Sequence, residues 1–207
     1  MKYVDLTAEL ITPAVASSLI SAFMSAYEMA VSASDEIDFL GGDLREQIMP
    51  HLRNWAVEYE INRRALSGIL PFTCNFENNS RNNHRHLELR RGDYLLTISQ
   101  THRFFDLPRD SVFRNEYCMN GQYCLEGFDE SVDSSSKNIY AILTHGGGHT
   151  TPNFILCGIP APDMRSWAQS VNLFNVAGTL EIVDSTPVTD EIQLGFRDSV
   201  KKRISNS

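Results

Sequence analysis

Apolar residues near the start of the chain recur at the spacing of a helix. Val15, Leu19, Phe23 and Tyr27 lie four residues apart, so they form one stripe along a helix of about four turns. The dipeptide Thr12-Pro13 predicts where this helix begins, with the threonine hydroxyl as its cap and the proline in its first turn. The pattern therefore predicts an amphipathic helix with one buried face.

A second helix is predicted after a turn over residues 32–42. Asp43 can cap it, Pro50 should interrupt or restart it because an interior proline loses a backbone hydrogen bond, and Gly68 should end it. The acidic side chains of both helices are expected on their outer, solvated sides. The buried face of the second helix is predicted from its apolar residues, which are Leu52, Trp55, Ala56, Tyr59 and Leu66.

After residue 70 the pattern changes to the period of two that is typical of strands. Residues 84–91 and 94–100 alternate on either side of Gly92-Asp93, which predicts a β-hairpin. Further strands are predicted over residues 70–76, 139–144, 154–159 and 179–183. Helices are predicted over residues 160–171, opened by Pro160 and Pro162, and over residues 189–204.

These elements predict a single α+β domain that spans residues 1–207, a length that suits one domain with a proper core. Residues 1–68 would be mainly helical and would pack on a mixed or antiparallel sheet within residues 69–184. Residues 185–207 would add a closing C-terminal helix. The polar segment 126–138 is expected to be a mobile loop.

The charges are distributed unevenly along the chain. The formal net charge is -8 and the pI is about 5.2, which does not fit a protein that coats nucleic acid non-specifically. Residues 61–120 nevertheless carry nine arginines, no lysine and six acidic residues, a net charge of +3. Because guanidinium groups bind phosphate and carboxylate in a forked geometry, this segment predicts an anionic partner.

The arginines of this segment alternate with aromatic residues, a combination that holds the phosphates and bases of single-stranded nucleic acid. We interpret the hairpin as a ribbon that carries guanidinium groups on an outer face. The alternative is that these arginines pair with carboxylates of the N-terminal helices. The residues predicted to bind the ligand are Arg85, Arg90, Arg91, Arg103 and Arg109.

The most unusual local sequence is His145-Gly-Gly-Gly-His149, between two predicted strands. Glycines let backbone N–H groups approach an anion, but they are also typical of a long flexible connection. No Gly-Lys-Ser/Thr follows, the spacing differs from that of a dinucleotide fingerprint, and the chain has no Gly-x-Ser-x-Gly nucleophile elbow. Gly146, Gly147 and Gly148 are therefore candidate ligand contacts with no reaction assigned.

The histidines are candidates for proton transfer or metal ligation. His84 and His86 are two residues apart in a predicted strand and would share one face. His145 and His149 flank the glycines, and His102 follows the hairpin. These residues could form one site if the hairpin faced the glycine loop. No His-Glu-x-x-His motif occurs, and the structural alternative is that the histidines bond locally or face water.

The chain is expected to act in the cytoplasm. We see no secretory signal at its start, and no uncharged apolar stretch approaches the roughly 20 residues that cross a membrane. Its four cysteines are therefore interpreted as reduced thiols. No membrane partner is expected. The acidic helices offer a contact face for a protein partner, and the protein could form an oligomer.

Two functions follow as hypotheses. The first is an intracellular recognition or regulatory protein, without a cofactor, that binds nucleic acid, a nucleotide or an acidic protein through the Arg-rich ribbon. The second is a phosphoester hydrolase or nuclease, with or without a divalent metal ion, in which residues 146–148 hold the developing charge. The residues assigned to this second chemistry are His84, His86, His145 and His149.

Overall fold

Helices precede a mixed sheet in the chain, which confirms the predicted α+β class. The computed structural model describes residues 6–37, 40, 44–79, 85–120 and 138–178. The helices are α1 (Leu6–Glu9), α2 (Pro13–Glu36), α3 (Arg45–Leu66), α4 (Val112–Asn120) and α5 (Leu173–Gly178). The strands are β1 (Thr73–Asn78), β2 (Arg85–Arg91), β3 (Tyr94–Gln100), β4 (Ile139–Gly146), β5 (Phe154–Pro160) and β6 (Trp167–Asn172).

Helix α2 begins at Pro13, as predicted, although the Thr12 side chain makes no capping hydrogen bond. Its predicted stripe from Val15 to Tyr27 is buried in the core. The helix continues to Glu36, so it occupies the first residues of the predicted turn. Of the helices that the structure describes, α2 alone is long and apolar enough to cross a membrane. A buried core helix has the same composition, so the structure is compatible with a soluble protein.

Helix α3 runs through Pro50 without interruption, contrary to the prediction. The proline is exposed and lies in the second turn of the helix. Its missing N–H removes only the bond to the Glu46 carbonyl group, and the remaining turns retain their own bonds. Asp43, the predicted cap, lies outside the described residues.

The buried face of α3 also differs from the predicted one. Trp55, Tyr59 and Leu66 are exposed over 56%, 55% and 79% of their surface, so this part of the prediction is wrong. Glu58 and Glu60 are buried and do not belong to the outer acidic surface that was predicted. A period of three to four residues fits more than one face of a helix, and only packing selects the face that is buried. The buried residues of α3 are Met49, Arg53, Ala56, Val57, Glu58, Glu60 and Ile61.

The sheet follows the order β1-β2-β3-β4-β5-β6. Its neighbouring strands are antiparallel except for β3 and β4, which are parallel. The hairpin of β2 and β3 around Gly92-Asp93 is confirmed, with Arg91 opposite Tyr94. The strands predicted over residues 139–144 and 154–159 are confirmed as β4 and β5.

The helix predicted over residues 160–171 is wrong, because Trp167–Asn172 forms the edge strand β6. This strand pairs with β5, and Val171 lies opposite Cys157. The four-residue spacing of Trp167 and Val171 fits a helix, but in β6 a register shift at Ile159/Pro160 places Trp167 against the second cluster and Val171 against the main core.

The two faces of the sheet are covered differently. Helices α2, α3 and α5 pack on one face and form the main core with residues such as Leu87, Leu96 and Leu143. The other face carries a small cluster that includes Cys118 of α4 and Tyr140 of β4. The segment between β3 and β4 must therefore pass over an end of the sheet before it reaches this second face.

Some predictions fall on residues outside the described part of the chain. They concern a strand over residues 179–183, the closing helix over residues 185–207 and nearly all of the predicted mobile loop 126–138. His84 also lies outside the described residues.

Candidate anion-binding crevice

A crevice lies where the parallel strands β3 and β4 end. Gln100 pairs with His145 at the ends of these strands, and the Thr101 N–H donates to the His145 carbonyl oxygen over 3.0 Å. The two chain segments then separate. The space between them and α3 has a volume of about 670 Å³. The carboxyl ends of parallel strands are a common location for ligand sites.

Helix α3 supplies one wall of the crevice. Gln47, His51 and Asn54 line it from successive turns of the helix, and Arg53 and Trp55 flank this line on its two sides. Arg53 is only 8% exposed, whereas Trp55 is 56% exposed. The wall therefore has a buried cationic part and an outer aromatic part.

The second wall comes from the segments that follow β3 and β4. Leu107, Pro108 and Arg109 line it after β3, and Arg114 lines it from α4. The connection from β4 to β5 contributes residues 147–149. The crevice is thus assembled from stretches that are separated by as many as a hundred residues.

The crevice carries an excess of positive charge. Arg53, Arg109 and Arg114 line it, against a single carboxylate from Asp106. Within the described part of the chain, none of these three guanidinium groups forms an ion pair. The Asp106 carboxylate accepts a hydrogen bond from the backbone N–H of Arg103. Unpaired cations in a concave site are the arrangement that attracts an anion.

Arg53 is the most deeply placed of these cations. Its guanidinium carbon lies 5.6 Å from the centroid of the Tyr27 ring. Its Nε atom is buried and has no hydrogen-bond partner among the described residues. Because a buried polar atom without a hydrogen-bond partner is unfavourable, an anion that accepts a hydrogen bond from Nε would stabilise Arg53 in this position.

Arg114 is held in place by neutral oxygens. Its Nη1 donates to the Arg109 carbonyl oxygen over 3.0 Å and to Ser111 Oγ over 3.2 Å. Its Nη2 lies 3.4 Å from Ser99 Oγ at the end of β3. Burial lowers the pKa of Arg114, and no carboxylate of the described residues offsets the charge. These contacts orient the segment that carries Arg109.

The glycines shape the edge of the crevice. A Cβ atom on Gly146 would lie 2.1 Å from the Thr101 carbonyl oxygen, so only glycine lets the strand ends approach so closely. Gly147 has a φ of +78°, and its carbonyl oxygen accepts a 2.6 Å hydrogen bond from Asn153 Nδ2. The connection is therefore a defined turn. Gly147 and Gly148 line the crevice, and Gly146 belongs to β4.

The histidines fall into two groups. His102 and His149 line the crevice together with His51, which the sequence analysis did not select. His145 is fully buried in the main core, where Tyr27 Oη lies 2.9 Å from its Nδ1 atom. Burial, aided by Arg53, lowers the pKa of His145 to about 3. His86 is buried against Phe113 of α4, with ring centroids 4.1 Å apart.

Most arginines of the predicted ribbon lie elsewhere. Arg85 packs over the Phe76 ring, Arg90 forms a 2.9 Å ion pair with Glu88, and Arg91 donates to the Leu10 carbonyl oxygen. Arg103 is exposed but does not line the crevice. Of the five predicted ligand-binding arginines, only Arg109 lines the crevice.

Several crevice residues were not predicted as ligand contacts from the sequence. The sequence contains one indication that Arg53 is unusual. This charged residue lies four positions after Met49 and three before Ala56, on the same buried face of α3. Trp55 was assigned to the core instead. The residues added by the structure include Gln47, His51, Arg53, Asn54, Trp55, Gln100 and Arg114.

The described residues contain no group of three or more His, Cys, Asp or Glu side chains that could hold a metal ion.

Comparisons with protein-family models, with curated proteins and with solved structures found no match to this chain. The site therefore has to be interpreted from its own geometry and charge.

Proposed function

We propose that this protein is a recognition protein that binds a small anionic ligand in the crevice between α3 and the ends of β3 and β4. The observation that carries the proposal is the presence of Arg53, Arg109 and Arg114 in one concave site with no ion-pair partner in the described chain. The proposal keeps the predicted anionic partner but moves its site from the ribbon to the crevice.

The size of the crevice supports a ligand of small-molecule dimensions. Its volume of about 670 Å³ lies within the range of roughly 300–1,000 Å³ that is usual for ligand pockets. A nucleic acid or an acidic protein would enter it only through an end or a single side group. A protein partner on the acidic helices stays a separate prediction.

We also propose that the protein acts in a reducing compartment such as the cytoplasm. Cys74, Cys118 and Cys157 are free thiols, and burial raises the pKa of each thiol. Raised pKa values keep these thiols protonated and unreactive near neutral pH, which supports a structural role for them.

Calorimetric titration with inorganic phosphate and pyrophosphate tests the proposal. Arg109→Ala should weaken binding about tenfold, because a hydrogen bond to a charged group contributes about 1.5–3 kcal/mol. Arg103→Ala is the matched control, since Arg103 is an exposed arginine of the same segment outside the crevice. Equal affinities of the two variants, or no binding by the wild type, would contradict the proposal.

A second candidate is hydrolysis of a phosphate ester in the same crevice. The observation that favours it is the presence of His51, His102 and His149 around the cationic site, since histidine transfers protons near neutral pH. Incubation with p-nitrophenyl phosphate distinguishes the candidates. Turnover that His149→Ala removes and that survives a chelator supports hydrolysis by proton transfer, whereas binding without turnover supports recognition alone.

A further inference from the structure

The crevice joins a cationic floor to an aromatic rim. Arg53 and Trp55 are two residues apart on α3, and the first is 8% exposed while the second is 56% exposed. We propose that the ligand is a nucleoside phosphate, with its phosphate held by the arginines and its base stacked against Trp55. This inference rests on the proposed function and names the ligand class of the same site.

Trp55 differs from the other exposed aromatic residue of this helix in its location. Tyr59 has the same exposure, at 55%, but does not line the crevice. The His51 and Trp55 rings lie 6.0 Å apart and are inclined by 38°, so they form a continuous aromatic wall. Leu107 and Pro108 add apolar lining from the segment after β3.

An inorganic anion or a sugar phosphate would leave this aromatic and apolar lining unused. A planar base would cover it, because every base has a π-face that stacks on an indole ring. A simple hydrophobic acid would use the rim but would leave the amide groups unpaired. The combination therefore favours a ligand with an anion, a planar ring and polar ring edges.

Side-chain amides also line the crevice. Gln47 and Asn54 line it from α3, and Gln100 lines it from the end of β3. The Oε1 atom of Gln100 is buried and has no hydrogen-bond partner among the described residues. Amides both donate and accept hydrogen bonds, as the edges of bases and the hydroxyls of a ribose require.

This ligand chemistry has two sources. One is a free nucleotide, and the other is a phosphorylated end of a single-stranded nucleic acid. The volume of about 670 Å³ accommodates one nucleotide in either case. The two sources share the contacts proposed here and differ only beyond the first phosphodiester bond.

The test compares ligands that contain successive parts of a nucleotide. Inorganic phosphate, ribose 5-phosphate, adenosine, AMP and UMP are titrated separately by calorimetry against the wild-type protein. AMP or UMP should bind at least about fivefold more tightly than ribose 5-phosphate, since stacking contributes about 1–3 kcal/mol per base. A 5′-phosphorylated dinucleotide that binds more tightly than both mononucleotides assigns the site to a strand end. Weaker or equal binding assigns it to the free nucleotide.

Variants of α3 locate the base. Trp55→Ala should lower AMP affinity at least about fivefold, and AMP should quench the tryptophan fluorescence of the wild type but not that of the variant, which retains Trp167. Tyr59→Ala, which is matched in helix and exposure, should leave AMP affinity unchanged. If ribose 5-phosphate binds as well as AMP, or if Trp55→Ala has no effect, the inference fails while the anion site stands. If none of the phosphate compounds binds, the proposed function fails as well.

Discussion

The guanidinium group of Arg53 lies over the ring of Tyr27, with its carbon atom 5.6 Å from the ring centroid. Tyr27 in turn contacts His145 through a 2.9 Å hydrogen bond. Burial raises the pKa of Tyr27 to about 12, so this hydroxyl is neutral and does not balance the arginine charge. The guanidinium group of Arg53 at the floor of the crevice therefore contacts an aromatic ring, and no carboxylate of the described residues balances its charge.

Replacing Arg53 should make the free protein more stable. The cation–π contact between Arg53 and Tyr27 stabilises the fold by about 0.5–1 kcal/mol, whereas removing an unpaired ion from water costs several kcal/mol. We expect Arg53→Met to raise the free energy of unfolding by about 1 kcal/mol and to lower phosphate affinity at least about tenfold. Urea unfolding and calorimetry measure the two effects. A less stable variant would show that Arg53 is a structural group, and Arg53→Lys controls for the charge.

Glu58 should make stability depend on pH. Burial raises its pKa to about 7, although a hydrogen bond from Asn54 opposes the shift. The unfolded chain has a pKa of about 4.3 at this residue, so the folded state binds the proton more tightly. Protonated Glu58 therefore stabilises the folded state fully below about pH 4.3, and this stabilisation is lost as the pH rises through about 7.

Glu58→Gln should remove this pH dependence, because glutamine does not titrate. We expect the variant to exceed the wild type by about 3–4 kcal/mol near pH 8 and to equal it near pH 4. Urea unfolding over this pH range measures the difference. Glu28→Gln, on the exposed side of α2, is the control and should follow the wild type. Parallel curves for Glu58→Gln and the wild type would refute the assignment.

Glu60 accepts hydrogen bonds from two arginines of α3, and one of these arginines also contacts α2. It is 1% exposed and accepts hydrogen bonds of 2.7–2.8 Å from Arg63 and Arg64. Arg64 also donates to Ser25 Oγ on α2 over 3.1 Å. The hydrogen bonds from Arg63, stronger here than the opposing effect of burial, lower the pKa of Glu60. This carboxylate therefore stabilises the fold above its unfolded pKa, and that effect is lost as the pH falls through its folded pKa.

Glu60→Gln should destabilise the protein by about 2 kcal/mol near neutral pH, because it leaves two arginines without their carboxylate. Thermal and urea unfolding measure the loss. Asp35→Asn breaks the exposed 2.7 Å ion pair with Arg45 and should change stability by less than about 0.5 kcal/mol. Similar losses for both variants would contradict the proposed role of Glu60.

Gly146→Ala should disturb the point where β3 and β4 end. Its Cβ atom would lie 2.1 Å from the Thr101 carbonyl oxygen, so the backbone would have to move at a cost of about 2 kcal/mol or more. Gly178→Ala is the control, since no atom of the described residues lies within 4 Å of the added atom. We expect lower thermal stability and weaker phosphate binding for Gly146→Ala only. An unchanged melting temperature would show that the strand ends separate freely.

Local sequence patterns predicted the structure correctly where contacts between residues close in the sequence determine it. The stripe of α2, the hairpin around Gly92-Asp93 and the apolar strands β4 and β5 were predicted in this way. The pattern failed for α3 and for residues 167–172, because the same spacing fits two arrangements. In both cases the packing partner made the choice.

The α+β class, the helical first part and the excess of arginine in the middle of the chain could all be read from the order of residues alone. Which arginines act together depends on contacts made only in the folded chain. Arg53, Arg109 and Gly147 become neighbours of one crevice only because β3 and β4 pair in parallel and end at the same edge. Sequence patterns describe interactions over a few residues, whereas this crevice depends on contacts between segments far apart in the chain.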